Sequence, residues 1–330
     1  MVLVTGGTGL IGSHLLYNLI SKGERVRAIY RSEKSLLKTK KVFESYTATA
    51  LFPKIEWVQA DITDYFSLNE IFENIEYVYH AAAIVSFNKR DLDNMMNTNV
   101  DGTAHLVNLS LEYGIRKFCF VSSVSSLGDY EDGKCTDEEA LWQMSEDTSN
   151  YSVSKYYAEN EVWRASEEGL DVVIVNPATV IGFGDWTESS STLIKRVKDG
   201  LQFYPTGSNG FVGVKDVVIA MIQLMESNIS GERFLLVSEN WTFKKLFSTI
   251  AESLKLSPPK FKVGKLLALI FMKVDQFKSF ILHSNVILTK ETVNTAFNTK
   301  CYSSEKIQQE FDFKFTSLEE VINDVGRYYS

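Results

Sequence analysis

The chain has 330 residues, 45% of them hydrophobic and 23% charged, with 34 Lys and Arg against 42 Asp and Glu for a formal net charge of −8. A disordered or collagen-like polypeptide is excluded, because apolar surface is ample to offset chain entropy and Pro and Gly number only 5 and 19. An acidic chain without a Lys/Arg block is a poor partner for nucleic acid, whose affinity rests on phosphate neutralisation, so no nucleic acid is expected.

In chain order, strand-like apolar runs fall at 2–5, 25–30, 55–59, 77–80, 117–122 and 171–176. Between them, apolar residues recur at spacings of three and four over 13–22, 65–74, 94–113 and 153–168, which predicts helices. Strands this apolar are buried on both faces, and their alternation with helices predicts an α/β fold, a doubly wound parallel Rossmann sheet. The second half reads as helices at 190–198, 214–226, 242–254, 264–282, 290–297, 304–311 and 316–328, with one strand at 233–237 returning to the sheet edge. Thr316-x-x-Glu319 predicts a capping box for the last helix, and Pro258-Pro259 a joint between two helices. The expected division is a dinucleotide-binding domain over 1–176, completed by about 211–238, and a smaller, mostly helical substrate domain over 177–330.

Cys119, Cys135 and Cys301 are odd in number and far apart, which predicts neither a zinc site nor a disulfide framework and fits a reducing, cytoplasmic setting. Met1 leads straight into an apolar strand without a basic secretion signal. The longest apolar run, 266–272, has seven residues against the ~20 needed to span a bilayer, so no integral membrane segment is expected. The stretch 265–282 reads as a helix docked on the domain, or as a helix lying on a membrane surface.

Gly6-Gly7-Thr8-Gly9-Leu10-Ile11-Gly12 links the first strand to the first helix and opens a βαβ unit. Glycines there permit a tight turn and close approach of backbone to a pyrophosphate, and the N–H groups at the helix start point at phosphate. An acid at the end of the second strand favours NAD, and an Arg favours the 2′-phosphate of NADP. Tyr30 stands 18 residues past Gly12, no acid occupies the position, and Arg31 follows, so NADP is the expected cofactor and NAD the alternative. Asp61-Ile62 follows the third strand, where Asp61 either accepts the adenine amino group or caps the next helix. Small residues at Ala81, Ala82 and Ala83 let backbone approach the cofactor, whereas His80 reads as a packed strand residue. The four histidines have no metal-ligand spacing, so no metal is expected.

Five YxxxK motifs occur, beginning at Tyr30, Tyr113, Tyr130, Tyr151 and Tyr302, so the bare motif decides nothing. Only Tyr151 and Lys155 open a helix between the fifth and sixth strands, one turn apart on the same face. They also follow a serine cluster at the carboxyl end of the fifth strand, where open sheets put their sites.

With the glycine loop, HAAA, Asn97-Thr98-Asn99-Val100-Asp101-Gly102-Thr103, Val121-Ser122-Ser123, YSVSK and Asn176-Pro177 in this order, the chain resembles the extended short-chain dehydrogenase/reductases of the NAD-dependent epimerase/dehydratase family. It looks most like the dihydroflavonol-reductase and 3β-hydroxysteroid-dehydrogenase branch. The resemblance implies Tyr151 as proton donor or acceptor, Lys155 as the cation that favours its phenolate and holds the nicotinamide ribose, and Ser123 as the group that polarises the substrate oxygen. It also implies Asn99 behind the site and Pro177, Thr179 and Val180 along the nicotinamide. Ser125, Asn176, Phe183 and Trp186, with Phe203 and Tyr204, are candidates to face an apolar small-molecule substrate, although core packing is the plainer reading of the aromatics. The implied activity is hydride transfer on a carbonyl or alcohol. The alternatives are a nucleotide-sugar epimerase or dehydratase with retained NAD, and a dinucleotide-binding protein without turnover. Relatives of this type pair through the helices at 94–113 and 153–168, which implies a homodimer.

Overall fold

The computed structural model describes residues 1–130, 133–186, 190–282 and 289–329. Strands and helices alternate through the first half: β1 (Val2–Thr5), α1 (Leu10–Ser21), β2 (Val26–Tyr30), α2 (Glu33–Ser45), β3 (Glu56–Gln59), α3 (Tyr65–Asn69), β4 (Tyr77–His80), α4 (Leu92–Met96), α5 (Gly102–Glu112), β5 (Lys117–Val121), α6 (Asn150–Glu167) and β6 (Val172–Pro177). The second half adds β7 (Thr179–Ile181), α7 (Ser191–Lys198), β8 (Phe203–Tyr204), β9 (Ser208–Gly213), α8 (Val214–Glu226), β10 (Glu232–Leu236), β11 (Glu239–Thr242), α9 (Phe243–Ser253) and β12 (Phe261–Lys262). Four helices finish the chain: α10 (Lys265–Leu282), α11 (Lys290–Phe297), α12 (Glu305–Phe311) and α13 (Leu318–Tyr329).

Seven strands form one parallel sheet in the order β10-β6-β5-β4-β1-β2-β3. The strand period of two sends Val2 and Val4, Cys119 and Val121, and Val173 and Val175 to one face, under α1 and α8. Leu3, Phe118, Phe120, Val172 and Ile174 go to the other, under α5 and α6. This is a Rossmann fold. The chain crosses to opposite sides of β1, towards β2 and towards β4, so a crevice opens above their carboxyl ends.

Beyond β6 a small sheet, β11-β9-β7, packs with α7, α9 and α13 around Phe211, Trp241, Leu246, Phe247, Leu318 and Ile322. These short strands escaped sequence reading because β9 carries two glycines and no alternation. Helix α2 escaped it because it is polar almost throughout and buries only Thr39, Val42 and Phe43. The single helix predicted over 94–113 is interrupted by a π-turn at Asn97–Asp101, a departure often found at functional sites.

Two local expectations fail. Thr316 does not cap α13: its N–H and hydroxyl both donate to Asp216 at 2.9 Å, and the Ser317 hydroxyl accepts the Glu320 N–H instead. Cys135 and Cys301 form a disulfide with Cα atoms 4.6 Å apart, closing a sequence separation of 166. The bridge between Thr136 and Tyr302 lays the two segments side by side, a proximity the sequence spacing could not reveal. With this disulfide the cysteines no longer speak for a reducing compartment. Among the described residues no helix is long and apolar enough to cross a membrane, and no cluster of His, Cys, Asp or Glu could hold a metal ion.

Candidate active site

The glycine loop is set by contacts no side chain could share. Gly6 has φ +69°, and a Cβ on it would lie 2.4 Å from the Ala81 carbonyl carbon. A Cβ on Gly12 would lie 2.1 Å from the Gly6 oxygen. Thr39 of α2 fastens the loop from below, donating to the Gly7 carbonyl at 3.0 Å. Gly9 is different: it is exposed, extended at φ −87°, and gives α1 no side-chain cap. Half-buried Thr8, Leu10 and Ile11 surround the opening, so the uncapped amides of the first turn face a glycine-lined cradle. Such a cradle fits a dinucleotide pyrophosphate. Gly9→Ala meets only one neighbour, Gly6 oxygen at 3.3 Å. The variant is therefore expected to keep its thermal midpoint while weakening a nicotinamide dinucleotide at least about ten-fold in a fluorescence titration, because its methyl would intrude on a phosphate bound in the cradle.

Tyr30 packs edge-on to Trp57, with ring centroids 6.2 Å apart. Arg31 is exposed, and its guanidinium has no ion pair or hydrogen bond among the described residues. Asp61 Oδ1 accepts from the Thr63 amide and hydroxyl at 3.0 and 2.9 Å, closing a local turn. It does not cap α3; Asp64 does, accepting the Ser67 N–H. Ile62 is a core residue wedged against Gly102. Ala81 and Ala82 are half-buried and Ala83 exposed at the mouth of the crevice. His80 is buried between the Thr5 and Thr103 hydroxyls, and burial lowers its pKa to about 3. It is the neutral packed residue expected.

On the other side of the crevice, β5 ends at Val121 and the chain turns at Ser123, whose extended backbone lets its hydroxyl accept the Ser125 N–H at 3.1 Å. Helix α6 starts at a Ser149 cap, and Ser152 ties its first turn to this loop by donating to the Ser125 carbonyl at 2.6 Å. That join sets the Tyr151 phenol beside the Ser123 hydroxyl, close enough for the serine to act on its pKa. One turn on, Lys155 is 1% exposed, donates to the Val121 carbonyl at 2.7 Å and lies over the Phe120 ring. Ser123, Tyr151 and Lys155 are thus gathered at the carboxyl edge of the sheet.

The electrostatics differ from expectation. Burial raises the Tyr151 phenol above its ordinary pKa, opposed only by the Ser123 hydrogen bond. Burial also lowers Lys155 to about 7, opposed by the Glu159 carboxylate. A buried lysine aimed at a backbone carbonyl does not pull the phenol down.

Other candidates prove structural. Asn99, grouped with the cofactor residues, spends its amide on both backbone groups of Ile84 and on the Ser154 hydroxyl. It straps the loop after β4 to α6. Asn176, a substrate candidate, is fully buried and donates to Ser126 and Glu159. Phe183 and Trp186 stack on Tyr329 of α13, with centroids 5.2 and 4.7 Å apart. Both rings stay half-buried, and Phe183 also lines the cleft described below. Phe203 is exposed against Phe261 and Phe271, and Tyr204 is half-buried beside it. Pro177 ends β6, while Thr179 and Val180 pair with Phe211 and Val212 of β9. A separate cleft of about 560 Å³, lined by His14, Lys215, Asp216 and Asp324 among others, contains none of the three gathered side chains.

Sequence reading missed Glu159. Its Oε2 accepts from Ser122, Ser126 and Asn176 at 2.5, 2.7 and 2.9 Å, and its Oε1 from Arg233 and Trp163. The signal was available: an acid one turn beyond Lys155, on the buried face of the same helix.

Residues 2–236 match the model of the NAD dependent epimerase/dehydratase family. The chain belongs to that family. Sterol demethylase protein B of Methylococcus capsulatus is 30% identical over 76% of this chain and 73% of its own. Dihydroflavonol 4-reductase of Arabidopsis thaliana is 27% identical over 93% of this chain and 80% of its own. UDP-glucose 4-epimerase of Thermotoga maritima, solved with UDP-glucose, superposes with a TM-score of 0.78 over 99% of this chain and 98% of its own. At 21% identity it speaks for the shared fold alone. Members of this epimerase/dehydratase family use a nicotinamide dinucleotide, and the fold and glycine loop described above suit it.

Proposed function

We propose that this family member is an NADP(H)-preferring reductase that converts the carbonyl of a small, apolar substrate to an alcohol, or runs the reverse oxidation. The observation that carries the reading is the gathering of Ser123 and Tyr151 at the carboxyl edge of the sheet, with buried Lys155 one turn along α6 and bonded to the Val121 carbonyl. The dinucleotide supplies the hydride when bound. Gly6, Gly9 and the first turn of α1 hold its phosphates, Arg31 its 2′-phosphate, and Pro177, Thr179 and Val180 flank its nicotinamide. Ser123 donates to the substrate oxygen, and Tyr151 gives that oxygen a proton as negative charge develops. A phenol raised by burial is protonated at neutral pH, which suits the acid role and hence reduction. The mainly helical second half closes over the substrate, with Ser125 beside it.

The epimerase reading rests on the structural neighbours. Against it, the second half holds only Arg196, Arg233 and Arg327 as guanidinium groups for a diphosphate, and Arg233 is committed to Glu138 and Glu159. Purified protein is expected to carry no retained nucleotide and to bind NADPH more tightly than NADH. Arg31→Ala should erase a preference of roughly 10- to 100-fold, the worth of a charge-assisted phosphate bond. NAD released on denaturation, or an Arg31→Ala variant with unchanged preference, would overturn the reductase reading or the Arg31 assignment respectively.

A further inference from the structure

The segment 255–273 runs against the character of the chain. It carries Lys255, Lys260, Lys262, Lys265 and Lys273 with no Asp or Glu, in a protein of net charge −8. All five lysines are exposed. Among them lies apolar surface that the fold leaves uncovered. Helix α10 turns Ala268 and Met272 inward against Val263 and Val293. Its opposite face presents Leu266 and Ile270, 76% and 53% exposed, with Leu267 and Phe271 beside them. The patch continues off the helix: Phe261, 57% exposed, and Phe203 meet at 5.7 Å, and Phe203 reaches Phe271 at 6.4 Å. Pairing of β12 with β8 holds the two phenylalanines in one plane of contacts.

We propose that this face docks on an anionic lipid bilayer, lying in the interface without spanning it. A contiguous exposed patch of Leu, Ile and Phe marks an interaction site in a folded chain. Its rim selects the partner. Lysines snorkel, keeping their charged ends at headgroup level while apolar neighbours enter the acyl boundary. Each one near an anionic surface adds attraction, and Lys262 on β12 with Lys265 and Lys273 on α10 lie on the elements that carry the patch. A second copy fits less well, because a two-fold contact through this patch would set the same lysines against each other.

The test is co-sedimentation of the full chain with vesicles of phosphatidylcholine alone, and of phosphatidylcholine with roughly a third phosphatidylserine. Binding is expected to the anionic vesicles, to be weak on the neutral ones, and to fall as salt rises. Lys262→Gln with Lys265→Gln should lower partitioning on the order of ten-fold. Leu266→Ser with Ile270→Ser should do the same from the apolar side. All four side chains are exposed, so both variants should keep the parent thermal midpoint and NADPH titration. Failure to bind anionic vesicles, or equal binding to both that the variants leave unchanged, would overturn the proposal. So would a parent that sediments as a dimer and a Leu266→Ser/Ile270→Ser variant that sediments as a monomer, because the patch would then be a self-association surface.

Discussion

A Tyr151→Phe enzyme is expected to bind NADPH as the parent does and to turn over at least about 100-fold more slowly, the loss that follows removal of a general acid. Phenylalanine keeps the ring and its edge contact with Phe87, whose centroid lies 6.1 Å away. Only the hydroxyl goes. Ser123 retains its bonds to the amide and hydroxyl of Ser125, so the loop after β5 keeps its geometry. A slower rate therefore reports the missing proton. Paired measurements of kcat and of nucleotide affinity decide the matter: a variant retaining more than a tenth of the parent rate would take Tyr151 out of the chemistry. Loss of nucleotide binding would instead make Tyr151 part of the cofactor site.

The sheet was legible because its strands are apolar at nearly every position, a pattern that only a parallel sheet covered on both faces satisfies. Gly6 and Gly12 were legible for a related reason, since they stand where any Cβ would strike backbone, that of Ala81 for Gly6 and that of Gly6 for Gly12. Arg31 was located by counting from the glycine loop, and its guanidinium has no partner among the described residues. Tyr151 could be chosen from five motifs only by its place between strands. What stayed hidden depends on long-range proximity. Asn99 and Asn176 carry the right residue type at the right position, yet the amide nitrogens of both are taken by neighbours. Phe183 and Trp186 have a stacking partner, Tyr329 of α13, more than 130 residues later. Cys135 and Cys301 follow the same logic. In each case the deciding partner is remote in sequence.

Replacing Glu159 is expected to act on stability and chemistry through separate variants. Its carboxylate is 2% exposed, accepts from three buried donors, and pairs with Arg233 at 3.1 Å. Glu159→Ala leaves the partly buried Arg233 without its carboxylate and takes one acceptor from each of those donors, which should cost about 3–5 kcal/mol in urea unfolding. Glu159→Gln keeps the volume but removes the charge, and Lys155 then loses the one influence that holds its pKa up. Lys155 in the fold titrates at about 7, well below an ordinary lysine. Below that pH the folded and unfolded lysines are both charged, and the whole cost of burying a cation is present. As pH rises from about 7 towards 10 the folded lysine is neutral while the unfolded one is still protonated, so this cost fades and stability rises. Activity should move the other way. Lys155 leaves the resting phenol high, but its cation offsets the negative charge left on Tyr151 once the proton has gone, and only while charged, so kcat/KM for reduction should fall as pH passes about 7. In Glu159→Gln the falling limb should shift to lower pH. A residue that merely fills space would leave the limb where it is, and an unmoved limb would confine Glu159 to holding Ser122, Ser126 and Asn176 in place.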